Sequence, residues 1–197
     1  VLIGIARFWQ QRVNWSEKRN KYVMLGVTGP NEYENNVHNN WYTNYMAKWC
    51  LEYALEQLEH VQQNHPSDYK RIMDKTQLSI DETGLWKKVA AHMYFPYSEE
   101  HGVYLQQDGF LDKDLVRVAG LDKKERPINQ HWSWDRILRS PYIKQADTLQ
   151  GFYFFEDHFT DEELEKHFDF YEPFTVHESS LSPCVHSVQA AKLDRME

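Results

Sequence analysis

Apolar side chains recur at three- and four-residue steps along much of the chain, which is the spacing of an amphipathic helix. The longest such stretch predicts a helix from about Asn39 to about Gln63, and its apolar stripe is wide enough to suggest packing on more than one side. His65 and Pro66 interrupt this pattern and predict the end of that helix. The same spacing predicts further helices over residues 2–13, 81–94 and 142–155.

Two later helices are indicated by the residues at their starts. Thr160 can cap a helix while Glu163 returns the hydrogen bond, which is the pattern of a capping box. Ser182 followed by Pro183 predicts another start, because proline is tolerated at the first helical position. The chain is therefore expected to contain about six helices.

Between the helices, little of the sequence favours strands. Residues 22–25 and 102–105 are short apolar runs that predict brief strands. Residues 107–130 have little periodicity and are interpreted as a long loop, which in a compact domain is often functional. The pattern predicts an all-α fold, and neither a linker nor a repeat indicates an internal domain boundary within residues 1–197.

Composition narrows the class of protein. The 197 residues carry a net charge of −8, with 41% hydrophobic and 26% charged residues, as expected of a soluble globular protein. The acidic balance argues against nucleic acid or an anionic membrane as a partner. No apolar run approaches the roughly 18–20 residues of a membrane span. Two cysteines cannot make a disulfide framework, so we expect a cytoplasmic protein.

Two features do not suit an ordinary small domain. The chain holds 12 Tyr, 10 Phe, 7 Trp and 10 His residues, which is rich in rings. It also starts without Met inside the apolar run Val1–Ala6 and closes in an apparent helix near residues 190–193. We interpret the chain as an internal piece of a longer one.

The strongest local signal for chemistry is Glu32. Gly29 and Pro30 form a tight turn that can present the side chain of Glu32 at a loop tip. Tyr33 and Trp41 could desolvate this carboxyl and raise its pKa, so that it stays protonated as a general acid. The alternative is a solvated turn with Glu32 in water. Amide side chains that suit a hydroxyl-rich ligand follow at Asn35, Asn36, Asn39, Asn40 and Asn44.

A second signal combines aromatic and polar residues. Trp132 and Trp134 alternate with polar positions, as in sites where rings stack on sugar faces. Lys144 and Gln145 follow, in the expected first turn of the helix over residues 142–155. The alternative is that the tryptophans belong to the core and that Lys144 is solvated or paired with Asp147.

A third signal is the polar stretch over residues 175–183. His177 and Glu178 could line a site, whereas the alternative assigns the whole stretch to turns and caps, with Ser182 as an N-cap. The other histidines lack metal-ligand spacing with cysteines or carboxylates, and no HExxH, CxxC, Gly-rich phosphate loop or GxSxG motif is present. The sequence therefore predicts no metal site.

These three segments together resemble the maltose phosphorylases of glycoside hydrolase family 65, which also holds kojibiose and trehalose phosphorylases. Residues 29–44 are similar to the family's general-acid segment, although Asn31 stands where many members have Asp. Residues 130–147 are similar to its Lys-Gln sugar-binding segment, and residues 177–183 to a third block. The segments follow in the family's order over nearly the whole chain.

The resemblance implies an (α/α)6 barrel, or six-hairpin toroid, of which this chain would be an incomplete central and late part. It implies Glu32 as the general acid and Lys144 and Gln145 as contacts to the glucosyl unit that is transferred. It also implies that His177 and Glu178 lie near that sugar as substrate-binding residues.

The implied activity is that of a hexosyltransferase: inverting phosphorolysis of maltose to β-glucose 1-phosphate and glucose. Inorganic phosphate is the co-substrate and is already a nucleophile, so one carboxylic acid is enough and no cofactor or metal is required. Family enzymes bind phosphate largely through a block that would follow this chain, so the isolated chain is expected to be inactive. Oligomeric state cannot be read from the residues; family members are often dimers, so the resemblance alone points to a possible homodimer for the full-length enzyme.

Other functions remain open at this point. One is phosphorolysis or hydrolysis of a related disaccharide such as kojibiose or trehalose. A carbohydrate-binding module without catalysis would keep the tryptophans and asparagines but would not need Glu32. A helical scaffold without a ligand is the third.

Overall fold

Helices dominate the computed structural model, which describes residues 1–195. The helices are α1 (Leu2–Arg12), α2 (Trp41–Asn64), α3 (Pro66–Thr76), α4 (Ile80–Ala91), α5 (Ile128–His131), α6 (Trp134–Arg139), α7 (Thr148–Phe154), α8 (Asp161–Tyr171) and α9 (Ser182–Lys192). Two short antiparallel hairpins are formed by β1 (Asn14–Ser16) with β2 (Lys21–Val23) and by β3 (Tyr97–Ser98) with β4 (Val103–Tyr104). The predicted all-α class is confirmed.

The chain divides into two units. The first comprises residues 1–25 and 44–94, and the second residues 26–43 and residue 95 onward. No helix in the described part of the chain is long and apolar enough to cross a membrane.

In the first unit the predicted helices α1, α2 and α4 are confirmed to within about three residues at each end. Their apolar faces bury side chains such as Leu51, Trp86 and Val89. The sequence analysis missed α3, because it took Pro66 only as the end of α2. Pro66 instead lies in the first turn of α3, where a missing N–H costs no helical hydrogen bond.

The second unit holds the other helices and two apolar clusters. One cluster comprises Phe110, Ile143, Ala146, Leu149, Phe168, Tyr171, Phe174 and Val185. The other comprises Tyr33, Ile128, Ile137, Tyr142 and Val176. The capping box that opens α8 is confirmed. The stretch over residues 107–130 contains three short 3-10 turns before α5 begins at Ile128.

The helix predicted over residues 142–155 is wrong in its first part. The helix α7 begins only at Thr148, and the residues before it are irregular, with a β-bridge at Ile143 and bends at Lys144 and Gln145. Ile143 forms a parallel bridge with Thr175: its N–H donates to the Phe174 carbonyl at 3.0 Å, and its carbonyl accepts from the Val176 N–H at 2.8 Å. These long-range bonds occupy the backbone groups that a helix would use, so Lys144 and Gln145 lie on a non-helical stretch over residues 141–147, which we term the bridge segment.

Candidate active site

The turn over residues 29–33, which we term the acid turn, buries one side chain and exposes the next. Asn31 is completely buried, and its Oδ1 accepts from the Tyr33 N–H at 3.1 Å and from the Lys144 N–H at 3.0 Å. The adjacent Glu32 carboxylate points the other way, and its side chain is 59% exposed. The turn therefore presents one carboxylate to solvent from a rigid base.

Lys144 and Gln145 both reach the acid turn from the bridge segment. The Lys144 ammonium donates to Glu32 Oε2 at 2.5 Å, and Gln145 Nε2 donates to the Pro30 carbonyl at 2.8 Å. The hydrogen bond from Lys144, followed by that from Gln145, lowers the pKa of Glu32 below its ordinary value. The structure thus brings Lys144 and Gln145 to a turn that lies more than 110 positions earlier in the sequence.

Of the two environments considered for Glu32, the solvated turn is found and aromatic desolvation is not. Desolvation by Tyr33 and Trp41 would raise the pKa of Glu32, whereas the hydrogen bond from the Lys144 ammonium lowers it. Trp41 does not face it, since its fully buried ring stacks on Tyr104 and Phe152 with centroids 5.4 Å apart in each case. The predicted alternative pairing of Lys144 with Asp147 is not found either, because Lys144 pairs with Glu32.

A second carboxylate lies on the buried side of the acid turn. Asp147 is 2% exposed, and its Oδ2 accepts from the Asn31 N–H at 2.9 Å while its Oδ1 accepts from Asn40 Nδ2 at 2.8 Å. Asn40 Oδ1 in turn accepts from the backbone and hydroxyl of Thr43 at the start of α2. Burial outweighs these bonds and raises the pKa of Asp147 to about 7.

Sequence reasoning missed this role of Asp147. The signal that could have found it is its place immediately before α7, because a short acidic side chain at a helix start often accepts backbone N–H bonds. Here the backbone N–H that donates to Asp147 is that of Asn31 in the acid turn, which is distant in sequence.

Glu178 is turned inward. Its carboxylate accepts from the Tyr33 hydroxyl at 2.6 Å, from the Ile128 N–H at 2.9 and 3.1 Å, and from Arg126 Nε at 3.4 Å. Its side chain is 6% exposed. Glu178 thus fixes the Tyr33 ring, next to Glu32, against the segment that precedes α5, and burial together with this bond raises the pKa of Tyr33.

His177 lies at a strained position in a second hydrogen-bonded group. Its φ of 52° is in the left-handed region, which is uncommon for a residue other than glycine. Its Nδ1 lies 2.9 Å from the Ser182 hydroxyl, and its Nε2 lies 3.1 Å from Glu172 Oε1. The predicted N-cap role of Ser182 is wrong, because Ser182 is the first residue of α9 and Leu181 is the cap.

Glu172 links the two histidines of this group, since its other oxygen bonds His186 Nδ1. Burial opposes its ionisation, but the bonds from His177 and His186 outweigh burial and hold its pKa at about 2. The possible ligand atoms of these three residues lie within 4.8 Å of one another. Direct hydrogen bonds between each ring and the carboxylate account for this close approach.

The two tryptophans of the second signal differ. Trp132 is partly buried and packs against the second apolar cluster, beside Tyr142 with ring centroids 5.6 Å apart. Trp134 is 55% exposed, and its ring meets the Tyr33 ring edge-on at 6.4 Å. Only Trp134 is therefore available on the surface beside the acid turn.

An all-α chain that presents a carboxylate among amides, an ammonium and an exposed indole has the elements of a carbohydrate-active site. The family model that describes the glycosyl hydrolase family 65 central catalytic domain matches residues 1–197. The chain belongs to this family, and its helical fold matches the helical barrel domain of the family's phosphorylases.

Several characterised relatives are phosphorylases. The chain is 54% identical to the maltose phosphorylase of Bacillus subtilis, over 98% of this chain and 25% of the relative. It is 39% identical to the alpha,alpha-trehalose phosphorylase of Thermoanaerobacter brockii, over 98% of this chain and 25% of the relative. It is 35% identical to the kojibiose phosphorylase of Halothermothrix orenii, over the whole chain and 25% of the relative.

A solved structure agrees with this assignment. A human-microbiome protein assigned provisionally as a kojibiose phosphorylase superposes with a TM-score of 0.87 at 34% identity, covering 98% of this chain and 26% of that one. The chain thus spans about a quarter of the length of the relatives it matches.

Proposed function

We propose that this chain supplies the general-acid and glucosyl-binding part of an inverting disaccharide phosphorylase, with Glu32 as the acid. The observation that carries the proposal is that Lys144 and Gln145 both hydrogen-bond the acid turn, Lys144 at the exposed Glu32 carboxylate and the buried Gln145 at the Pro30 carbonyl. Maltose is the proposed substrate, because identity to the maltose phosphorylase is 54% against 39% and 35% for the trehalose and kojibiose enzymes.

In the proposed reaction a phosphate oxygen attacks the anomeric carbon while the bond from that carbon to the departing glucose oxygen breaks. Glu32 gives its proton to the departing oxygen, so the products are β-glucose 1-phosphate and glucose. Phosphate is an anion and needs no activating base, which is why one carboxyl suffices where an inverting hydrolase uses two.

Glu32 must be protonated to act, yet beside Lys144 its pKa is lowered. We propose that a bound glucosyl unit resolves this conflict. Its hydroxyls draw the Lys144 ammonium away and its ring excludes water, and both changes raise the pKa of a carboxyl. Sugar binding and protonation of the acid are then coupled through Lys144.

The other predicted contacts have different parts in this proposal. Gln145 is held by the Pro30 carbonyl, and its buried Oε1, which has no hydrogen-bond partner among the described residues, is the atom left to accept from a sugar hydroxyl. His177 borders the sugar with its ring fixed by Ser182 and Glu172. Glu178 contributes through Tyr33, because its oxygens already accept internal hydrogen bonds.

The test is Glu32→Gln in a full-length protein that carries this chain. We expect kcat for maltose phosphorolysis to fall about 10²- to 10⁴-fold, which is the usual contribution of general acid catalysis, with maltose affinity retained. With α-glucosyl fluoride and phosphate the variant should keep its rate, because fluoride leaves without a proton. Glu52→Gln is the matched control, since Glu52 is a similarly exposed carboxylate paired with Lys48.

The products distinguish the remaining alternatives. Phosphate-dependent release of β-glucose 1-phosphate supports a phosphorylase, whereas two glucoses released without phosphate would indicate a hydrolase. Full activity of Glu32→Gln on maltose would remove the assignment of the acid, and maltose binding without turnover in the full-length protein would favour a binding module. The 197-residue chain by itself is proposed to be inactive in this assay.

A further inference from the structure

The acid turn is attached to the bridge segment by three hydrogen bonds between residues far apart in sequence. The Asn31 N–H donates to Asp147, the Lys144 N–H donates to the Asn31 side chain, and Gln145 donates to the Pro30 carbonyl. These bonds join positions separated by 113 to 116 residues. The direction in which the Glu32 side chain leaves the turn is therefore set by the bridge segment.

Of the residues that make these hydrogen bonds, Asp147 is the one whose burial costs free energy. Burying a carboxylate is unfavourable unless it is paired or well hydrogen-bonded. Its hydrogen-bond donors in the described part of the chain are uncharged, namely the Asn31 N–H and the Asn40 amide. An apolar or neutral side chain would fill the same space at lower cost, so packing alone does not explain a carboxylate here.

The backbone of the acid turn also approaches Asp147 closely. A Cβ atom added to Gly29 would lie 2.5 Å from Asp147 Oδ2 and 2.4 Å from Asn40 Nδ2. The turn backbone thus rests directly on the Asp147–Asn40 pair, with no intervening side chain. Any change in either partner is transmitted to the peptide that precedes Glu32.

We propose that Asp147 is a positioning residue for the general acid. Its carboxylate orients the Asn31 peptide, and the Asn31 peptide fixes the direction of Glu32 toward the departing oxygen. Asn40 completes this arrangement. Its Oδ1 accepts hydrogen bonds from Thr43 at the start of α2, which directs its Nδ2 at Asp147. Asp147 itself touches no substrate. The proposal rests on the proposed role of Glu32.

The test is Asp147→Asn in the full-length protein. Asparagine keeps the shape but offers one oxygen instead of two, so an N–H group must face either the Asn31 N–H or the Asn40 amide. We expect kcat on maltose to fall about 10- to 100-fold, because small misplacement of a catalytic group has effects of this size. Maltose affinity should change less than threefold, which is within the range of a minor contact.

The readout that separates positioning from simple structural damage is α-glucosyl fluoride. Its turnover needs phosphate and glucosyl binding but no acid, so Asp147→Asn should leave this rate nearly unchanged. Equal losses on maltose and on the fluoride would overturn the proposal, as would an unchanged rate on maltose. Should Asp147→Asn fail to fold, Asn40→Ser removes one donor to Asp147 and is expected to give the same split between substrates, with equal losses again overturning the proposal.

A matched control distinguishes loss of a buried polar group from loss of this particular one. Gln189 is 3% exposed and donates to the Leu149 carbonyl, away from the acid turn. Gln189→Leu should not produce the split between substrates, and a split of the same size in this variant would overturn the proposal. Full maltose activity in Glu32→Gln would instead refute the proposed function itself, so the two failures are distinguishable.

Discussion

Two carboxylates lie on opposite sides of the acid turn, and they differ in exposure and in the charge of their hydrogen-bond donors. Glu32 is 59% exposed and contacts an ammonium, whereas Asp147 is 2% exposed and contacts uncharged donors. The pKa of Glu32 is lowered and that of Asp147 is raised to about 7. The residue proposed to donate a proton is the one that the free structure keeps ionised.

The difference indicates that the two sides of the acid turn have different functions. The buried side supplies a fixed geometry, which requires polar groups held without water. The exposed side supplies a carboxylate whose protonation responds to whatever replaces the solvent. A carboxyl buried as deeply as Asp147 would hold a proton more readily, but it could not reach a sugar.

The contrast in pKa predicts the largest effect on stability. The folded state binds a proton at Asp147 up to about pH 7, while the unfolded chain releases it near pH 4. The unfolded state therefore holds fewer protons in this window, and the contribution of Asp147 to the free energy of unfolding falls as pH rises from 4 to 7. A shift of this size corresponds to about 4 kcal/mol.

Urea denaturation of the 197-residue chain measures this effect as a difference. The free energy of unfolding of the wild type minus that of Asp147→Asn should decrease between pH 4 and pH 8, because asparagine does not titrate. A difference that stays flat above pH 5 would show that Asp147 ionises normally, and the contrast with Glu32 would be lost.

A smaller loss of stability is expected from Gly29→Ala. The added Cβ would overlap two buried side chains, at 2.4 Å from Asn40 Nδ2 and 2.5 Å from Asp147 Oδ2. Overpacking of this kind costs about 1–3 kcal/mol. Gly84→Ala is the control, because Gly84 lies inside α4 with open space around its Cα and alanine there should stabilise by about 0.5–1 kcal/mol.

Denaturation curves of both variants would check this prediction. Equal and small shifts for Gly29→Ala and Gly84→Ala would show that the turn can move away from Asp147. The rigid base inferred for Glu32 would then be wrong.

Much of the helical fold could be predicted because its signals are local. The stripe of α2, the capping box at Thr160 and the proline at the start of α9 each act within a few residues of sequence. Pro66 was misread because the same residue ends one helix and begins another. The start of α7 was misread because its competitor, the bridge from Ile143 to Thr175, joins residues 32 positions apart.

The candidate site also contains residues that local motifs predict and residues that depend on contacts distant in sequence. Glu32, Lys144 and Gln145 could be proposed from motifs, and their convergence is a finding of the structure. The role of Asp147 could not be proposed, because its partners Asn31 and Asn40 lie 116 and 107 residues away. A periodicity argument treats such a residue only as the position before a helix.

The smallest expected effect on stability comes from changing Lys144, on the exposed side of the acid turn. The same change tests most directly why the pKa values of Glu32 and Asp147 differ. Lys144→Met removes the ammonium that lowers the pKa of Glu32, so the titration midpoint of the Glu32 carboxyl should rise toward that of an ordinary glutamate. Carbon-13 NMR of glutamate-labelled chain follows this midpoint. Stability should change by less than about 1 kcal/mol, as is usual for an exposed ion pair.

Lys48→Met is the matched control, since the pair of Lys48 with Glu52 has exposures of 28% and 48% against 24% and 59% for Lys144 and Glu32. It should leave the Glu32 midpoint unchanged. Adding maltose to the full-length wild type should move the Glu32 midpoint upward, as Lys144→Met does, if a sugar draws Lys144 away. A Glu32 midpoint that stays the same both in Lys144→Met and after maltose is added would show that Lys144 does not control the pKa of Glu32. The proposed coupling between sugar binding and protonation of the acid would then be wrong.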